Sequence, residues 1–173
     1  MEAPEMESRL KILGHPVHPM LVMFPVALLT TAVLFDLIDT VGGPNFLGEV
    51  AYWNLTVGLI GGLLAAAAGV FDLLAIPAGT RAKRVALTHA AANVAVILLF
   101  AAVWAVRLNA DSRNAGGALI AIEVVALGIL GVSAWLGGEL VDRLGVGVDT
   151  DANLDAPSSL RPVSESQRIG DTR

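Results

Sequence analysis

Four long apolar runs, separated by short polar stretches, dominate the pattern along the chain. They predict helices over about 19–38, 53–76, 85–107 and 118–136. A helix of about 20 residues, at ~1.5 Å per residue, crosses a hydrocarbon core of about 30 Å, so each run is long enough for one membrane span. The sequence therefore predicts an all-α, polytopic membrane protein whose four spans form an antiparallel bundle.

The polar segments outside these runs divide the chain into three parts. Residues 1–13 form a polar N-terminal segment, residues 14–148 the four-span membrane domain, and residues 149–173 a tail whose composition predicts disorder. The first apolar run is long for the h-region of a signal peptide, and no small-x-small cleavage site follows it. We therefore interpret this run as a retained helix.

Composition agrees with a membrane protein. The chain is 55% hydrophobic and 16% charged, whereas soluble domains average about 45–50% and about 25%. It has no cysteine, which excludes disulfides, thiolate metal ligands and a cysteine nucleophile. The net charge is -5 and no basic stripe is present, which argues against nucleic acid as a partner and leaves the lipid bilayer as the expected one.

Basic residues predict the orientation of the spans. An even number of spans places both termini and the second loop on one side, and that side holds nine of the eleven Lys and Arg residues: Arg9, Lys11, Arg81, Lys83, Arg84, Arg143, Arg161, Arg168 and Arg173. The other side holds Arg107 and Arg113. Because basic residues near spans favour the cytoplasm, we predict that both termini are cytoplasmic.

Small residues recur at every fourth position of the second predicted helix. Gly58 and Gly62 form one such series, and Gly61, Ala65 and Gly69 form another. This spacing lets helix backbones approach closely in lipid. We interpret this helix as the central packing helix. One functional alternative is therefore a non-catalytic subunit or scaffold, or a homo-oligomer, that assembles through it.

Polar residues gather at the predicted cytoplasmic ends of the helices, in what we call the inner layer: His15, His18, Asp72, His89 and Glu139. Imidazole binds haem iron and divalent metals, and carboxylates bind metals or orient the imidazoles. The five residues are therefore candidates for a haem or metal site. A residue before proline is disfavoured in a helix, so both His15 and His18 are expected in extended backbone. The structural alternative is that the His-Pro pairs shape the entry to the first helix and His89 bonds a backbone carbonyl.

A second set, the outer layer, lies at the opposite ends of the helices: Asp36, Asp39, Asn54, Arg107 and Glu123. Glu123 lies inside an apolar run, where an ionisable group costs about 2.5–3.5 kcal/mol at the bilayer centre and faces a partner or a cavity. Arg107 is its expected counter-ion. This intramembrane ion pair predicts either a salt bridge that fixes helix packing or a proton or ion relay.

Two stretches resemble the signature of the bacterial domain-of-unknown-function 2231 (DUF2231) membrane proteins. They are Gly14-His15-Pro16-Val17-His18-Pro19-Met20-Leu21-Val22-Met23-Phe24-Pro25, and Trp135-Leu136-Gly137-Gly138-Glu139-Leu140-Val141 followed by Gly145-Val146-Gly147-Val148. Asp36, Gly69, Asp72 and His89 agree with the same pattern. The chain departs from it at Asp142 and Leu144, where relatives often have tyrosine and histidine, so it lacks that histidine.

The resemblance implies a multi-pass protein of the bacterial inner membrane. Some relatives are fused or adjacent to Rieske-type iron–sulfur proteins, which implies redox work beside a partner protein. No Walker loop, dinucleotide fingerprint, zinc-protease helix or nucleophile elbow is present, so we predict no catalytic residue. The leading interpretation is a redox accessory protein in which His89, with His15 or His18, binds haem b or a divalent metal. The alternatives are the scaffold and a proton- or ion-conducting protein.

Overall fold

The computed structural model describes residues 6–44, 46–110 and 113–160. Its main elements are four helices: α1 (Val17–Thr40), α2 (Leu47–Ala75), α3 (Arg81–Leu108) and α4 (Gly117–Gly138). All four are long and apolar enough to cross a membrane, with mean hydropathies of 2.0 to 2.3 in their most apolar windows. The protein is therefore an all-α, four-span membrane protein.

The helices extend beyond the apolar runs that predicted them. α2 begins at Leu47, not at residue 53, because its first turns carry Glu49 and aromatic residues that belong at a membrane interface. α4 includes both Gly137 and Gly138, and a five-residue π-helical turn, Glu139–Arg143, continues it. Apolar length thus locates a span but not the ends of its helix.

The backbone before α1 forms a small antiparallel hairpin of β1 (Lys11–Ile12) and β2 (His15–Pro16). His15 lies in extended backbone, as expected. The expectation for His18 was wrong, because α1 begins at Val17 and His18 is its second residue. Pro19 is accommodated in the first helical turn, where its missing N–H would have no partner in any case.

The four helices are arranged around a common axis in sequence order. α1 packs mainly on α2 and α3 on α4, and further contacts join α2 to α3 and α1 to α4. Helices α1 and α3 therefore lie diagonally opposite each other. The middle of the bundle is filled by apolar side chains, among them Leu29, Leu55, Val96, Phe100 and Leu130.

The glycines of α2 lie where this helix meets α1. A Cβ atom added at Gly58 would lie 2.8 Å from Cδ2 of Leu29, and one at Gly61 would lie 3.1 Å from Cβ of Phe24. Gly62 is looser, with the nearest atom, Cβ of Pro25, at 3.6 Å. These small residues serve close packing inside one chain.

The N-terminal segment packs against the segment that follows α4, at the end of the bundle that carries the hairpin. Gly147 N donates to Met6 O at 2.7 Å, and Lys11 binds both Glu7, at 2.8 Å, and Asp149. We call the contacts of Lys11 the clasp. The bond from Lys11, with a smaller contribution from Thr150, lowers the pKa of Glu7. The bonds to Asp149 and Glu7 raise the pKa of Lys11.

The predicted disordered tail is described as far as Leu160. Residues 149–160 form turns and no helix or strand, and Ser159 packs on Gly14. Residues 161–173 of the predicted tail lie outside the described residues.

Candidate functional site

Two histidines of the inner layer, His18 and His89, lie close together. Nδ1 of His18 on α1 lies 2.8 Å from the carbonyl oxygen of Ala65 on α2. Nδ1 of His89 on α3 lies 2.9 Å from the carbonyl oxygen of Ser133 on α4. A carbonyl oxygen only accepts hydrogen bonds, so Nδ1 is the protonated nitrogen in both rings. In a neutral ring of this tautomer, Nε2 is the nitrogen with the lone pair.

The rings of His18 and His89 lie close together although α1 and α3 are diagonal neighbours. Their centroids are 6.5 Å apart and their planes are nearly perpendicular, at 86°. Glycines make room for both rings: a Cβ at Gly69 would lie 2.9 Å from Cε1 of His18, and one at Gly137 would lie 3.3 Å from Cε1 of His89. We call His18 and His89 the histidine pair.

Asn93 and Ser133 hold the ring of His89 in place. Nδ2 of Asn93 donates to Nε2 of His89 at 3.0 Å and also contacts the carbonyl oxygen of His89 at 3.0 Å. The hydroxyl of Ser133 lies 3.1 Å from Nδ1 of His89. The four-residue spacing of His89 and Asn93 predicts that they share a helix face. Ser133 was missed as a partner, although a lone hydroxyl in the apolar run of α4 was a signal for one.

The other three members of the inner layer have separate partners. His15 is exposed, and its Nδ1 contacts the carbonyl oxygen of Leu13 at 3.1 Å. Asp72 accepts hydrogen bonds from the hydroxyl of Ser8 and from the backbone N–H of Arg9. Glu139 forms an ion pair with Arg81. Within the described ranges, no three His, Asp or Glu side chains form a group that could hold a metal ion.

The buried guanidinium of Arg107, on α3, lies at the centre of the outer layer. It donates to both carboxylate oxygens of Asp36, at 2.6 and 3.0 Å, and to Oε1 of Glu123 at 3.2 Å. Its remaining N–H groups donate to the carbonyl oxygens of Gly48, at 2.9 Å, and Arg113, at 2.7 Å. Because arginine has five N–H donors, every one of them is used. We call Asp36, Arg107 and Glu123 the acid–arginine cluster.

The expected contact between Arg107 and Glu123 is present in this cluster, but Asp36 makes the closer one. The sequence pattern placed Asp36 at the end of the first helix, whereas α1 continues to Thr40. Asp36 is therefore inside the helix and fully buried. Of the other outer-layer residues, Asn54 donates to Thr31 at 3.1 Å, and Asp39 is partly exposed near the end of α1.

Comparison with known proteins agrees with the membrane architecture. The model of a family described as a predicted membrane protein, DUF2231, matches residues 14–150. No curated protein and no solved structure matches the chain. The match spans all four helices and includes both the histidine pair and the acid–arginine cluster.

Proposed function

We propose that this chain, which belongs to the DUF2231 family of predicted membrane proteins, binds a divalent metal ion through its histidine pair. In this role it serves a redox or metal-handling partner in the membrane as an accessory protein. One observation carries the proposal. His18 and His89 each have Nδ1 bonded to a backbone carbonyl, so Nε2 is the nitrogen that can bind a ligand, directly in His18 and after displacement of the Asn93 amide in His89.

The hydrogen bonds of the two rings have the form that metal ligands need. A ligating histidine donates its other N–H to a carboxylate, a carbonyl or a water, and this bond fixes the tautomer and the ring orientation. The carbonyl oxygens of Ala65 and Ser133 supply such bonds at 2.8 and 2.9 Å. The two acceptors belong to α2 and α4, so both rings are held by rigid helices.

The spacing of the rings also suits one small ion. Zinc lies about 2.0–2.1 Å from imidazole nitrogen. A ring centre lies about 1 Å beyond its nitrogen, so rings that share an ion have centres about 5–6 Å apart. The observed 6.5 Å is close to this separation. Asn93 must turn away from Nε2 of His89 as the ion binds, and water or a partner's group completes the coordination.

Haem is the alternative occupant of the histidine pair. A porphyrin between the two rings needs a planar slot, and its ligands need to face each other across it. The two surface depressions described at this end of the bundle are lined by other residues, not by His18 or His89. A single ion needs no such slot, so we propose the ion and make haem an outcome of the test.

The test is the metal and haem content of the protein purified in mild detergent from its native host. We expect one equivalent of metal by elemental analysis, lost in both His18→Ala and His89→Ala. His15→Ala is the matched control, because His15 is exposed on the hairpin, and it keeps the metal. A Soret band in the reduced-minus-oxidised spectrum that His89→Ala abolishes would show that the histidine pair binds haem and not a metal ion. Metal content that is absent from the wild type, or unchanged in all three variants, overturns the proposal.

A further inference from the structure

The acid–arginine cluster has one more acid than it has bases. Asp36, Arg107 and Glu123 are all buried, with exposed fractions of 1%, 0% and 0%. If all three were ionised, the cluster would hold one uncompensated negative charge inside a membrane protein. Burying an unpaired charge is so costly that an acid takes up a proton instead.

The hydrogen bonds distinguish the two acids. Asp36 accepts two bonds from Arg107, at 2.6 and 3.0 Å. This two-pronged contact is the geometry of an ionised carboxylate with a guanidinium. Glu123 accepts a single and longer bond, at 3.2 Å, from Nη1. That nitrogen also binds Asp36, so the two carboxyl groups are neighbours.

The second oxygen of Glu123 indicates which acid carries the proton. Oε2 is buried and has no hydrogen-bond partner among the described residues. Arg107 has no N–H left to give it. An ionised Glu123 would leave this oxygen charged and without a hydrogen bond. A protonated Glu123 is neutral and has an O–H group that can turn towards Asp36.

Charged groups on the neighbouring elements do not remove the excess negative charge. On α1, Asp39 is a further acid near Asp36. On α2, Glu49 pairs with the side chain of Arg113 at 3.3 Å. The guanidinium of Arg113 lies 4.4 Å from the ring centre of Tyr52, and the guanidinium of Arg107 lies 6.0 Å from the same ring centre. Among the described residues, Arg113 is the one further cation at this end of the bundle, and it is already engaged by Glu49.

We infer that the acid–arginine cluster is a proton-binding site in which Glu123 carries one exchangeable proton at neutral pH, donated towards Asp36. Release breaks the Oε2–H bond of Glu123, leaves its electron pair on the carboxylate, and passes the proton to water. The exit lies at the end that carries Glu49 and Arg113, which are half-exposed. On the other side, Leu29, Phe100 and Leu130 close the bundle.

Infrared spectroscopy of the full chain in lipid nanodiscs tests this inference without a variant. A protonated carboxylic acid has a carbonyl stretch well separated from that of a carboxylate. At pH 7 we expect one such band, which shifts when glutamate is labelled with ¹³C and does not shift when aspartate is labelled. A band that shifts only with labelled aspartate, or no band at all, overturns the assignment to Glu123.

Variants identify the residue. We expect Glu123→Gln to abolish the band, since Asp36 and Arg107 then balance each other. Asp36→Asn also abolishes it, because Glu123 becomes the ionised partner of Arg107. Glu49→Gln, at the same end but half-exposed, is the control and keeps the band. Persistence of the band in Glu123→Gln contradicts the inference, and the labelled wild type decides the question if a variant does not fold.

Discussion

The histidine pair and the acid–arginine cluster both bring side chains of α1 and α3 close together, yet they use their hydrogen-bonding groups differently. Arg107 donates hydrogen bonds from all five of its N–H groups to partners on α1, α2, α4 and the segment before α4. Each histidine instead bonds a carbonyl within its own helical hairpin, α1–α2 or α3–α4. The saturated cluster thus fixes the packing of four helices, while in the histidine pair Nε2 can bind a ligand once the single bond from Asn93 to His89 is displaced.

An apolar layer separates the two centres. Glu123 and Ser133 are ten residues apart on α4, or about 15 Å at ~1.5 Å per residue. The side chains between them include Val96, Phe100 and Leu130. The two centres are therefore expected to respond independently to substitution, and the predictions below compare them in order of effect.

Removing the guanidinium of the saturated cluster has the largest expected effect. Arg107→Met leaves two buried carboxyl groups without a counter-ion, and breaking a buried pair in this way costs about 3–5 kcal/mol. The measurement is the free energy of unfolding in mixed detergent micelles. Arg81→Met is the control, because Arg81 pairs with Glu139 at an exposed site and such pairs contribute about 0–1 kcal/mol. Equal losses of unfolding free energy in the two variants would show that the burial of Arg107 does not add to its contribution to stability.

A methyl group placed beside the histidine pair has the next largest effect. In Gly69→Ala the new Cβ would lie 2.9 Å from Cε1 of His18, and overpacking of this kind costs about 1–3 kcal/mol. We expect the metal content to fall with the stability, as the ring loses its bond to Ala65. Gly131→Ala is the matched control, since nothing lies within 4 Å of its added Cβ. Unaltered metal content in Gly69→Ala would count against metal binding by the histidine pair.

Freeing the second nitrogen of His89 should strengthen ligand binding. Asn93→Ala removes the donor 3.0 Å from Nε2, so the ion no longer displaces a hydrogen bond of about 0.5–1.5 kcal/mol. That difference predicts an increase in Zn²⁺ affinity of up to about tenfold, measurable by isothermal titration. Weaker Zn²⁺ binding in this variant would mean that Asn93 itself helps to hold the ion.

The smallest expected effect is the pH dependence of the clasp. The pKa of Glu7 is lowered from 4.5, so its contribution is complete above that value and is lost as the pH falls through the lowered pKa. The pKa of Lys11 is raised from 10.5, so its contribution is complete below that value and is lost as the pH rises further. Exposed pairs of this kind contribute about 0.2–1 kcal/mol. The protection factor of the Thr150 amide, which is the intrinsic exchange rate divided by the observed rate at the same pH, should be highest between these limits. Lys11→Met should remove the loss at high pH and reduce the loss at low pH, where Glu7 still bonds Thr150.

The sequence predicted the four spans because a membrane helix needs a long apolar run, and this requirement is visible without a structure. It also predicted the two polar layers, because a residue's depth follows from its position along a span. Which residues of a layer touch depends instead on helix rotation and on which helices are diagonal. His15 and His18 share one motif, yet one lies in a strand and the other in α1. The sequence alone likewise does not show that Asp36 is the main partner of Arg107, because this contact depends on α1 and α3 facing each other.

Nitrogen-15 NMR of the histidine-labelled protein in lipid bilayers tests the histidine pair most directly, because the chain has only 3 histidines. At neutral pH the account predicts that His18 and His89, each assigned by its alanine variant, have protonated Nδ1 and unprotonated Nε2. Addition of Zn²⁺ should shift both Nε2 signals together and leave that of His15 unchanged. Rings protonated on Nε2, or Nε2 signals that do not respond to Zn²⁺, would contradict the account.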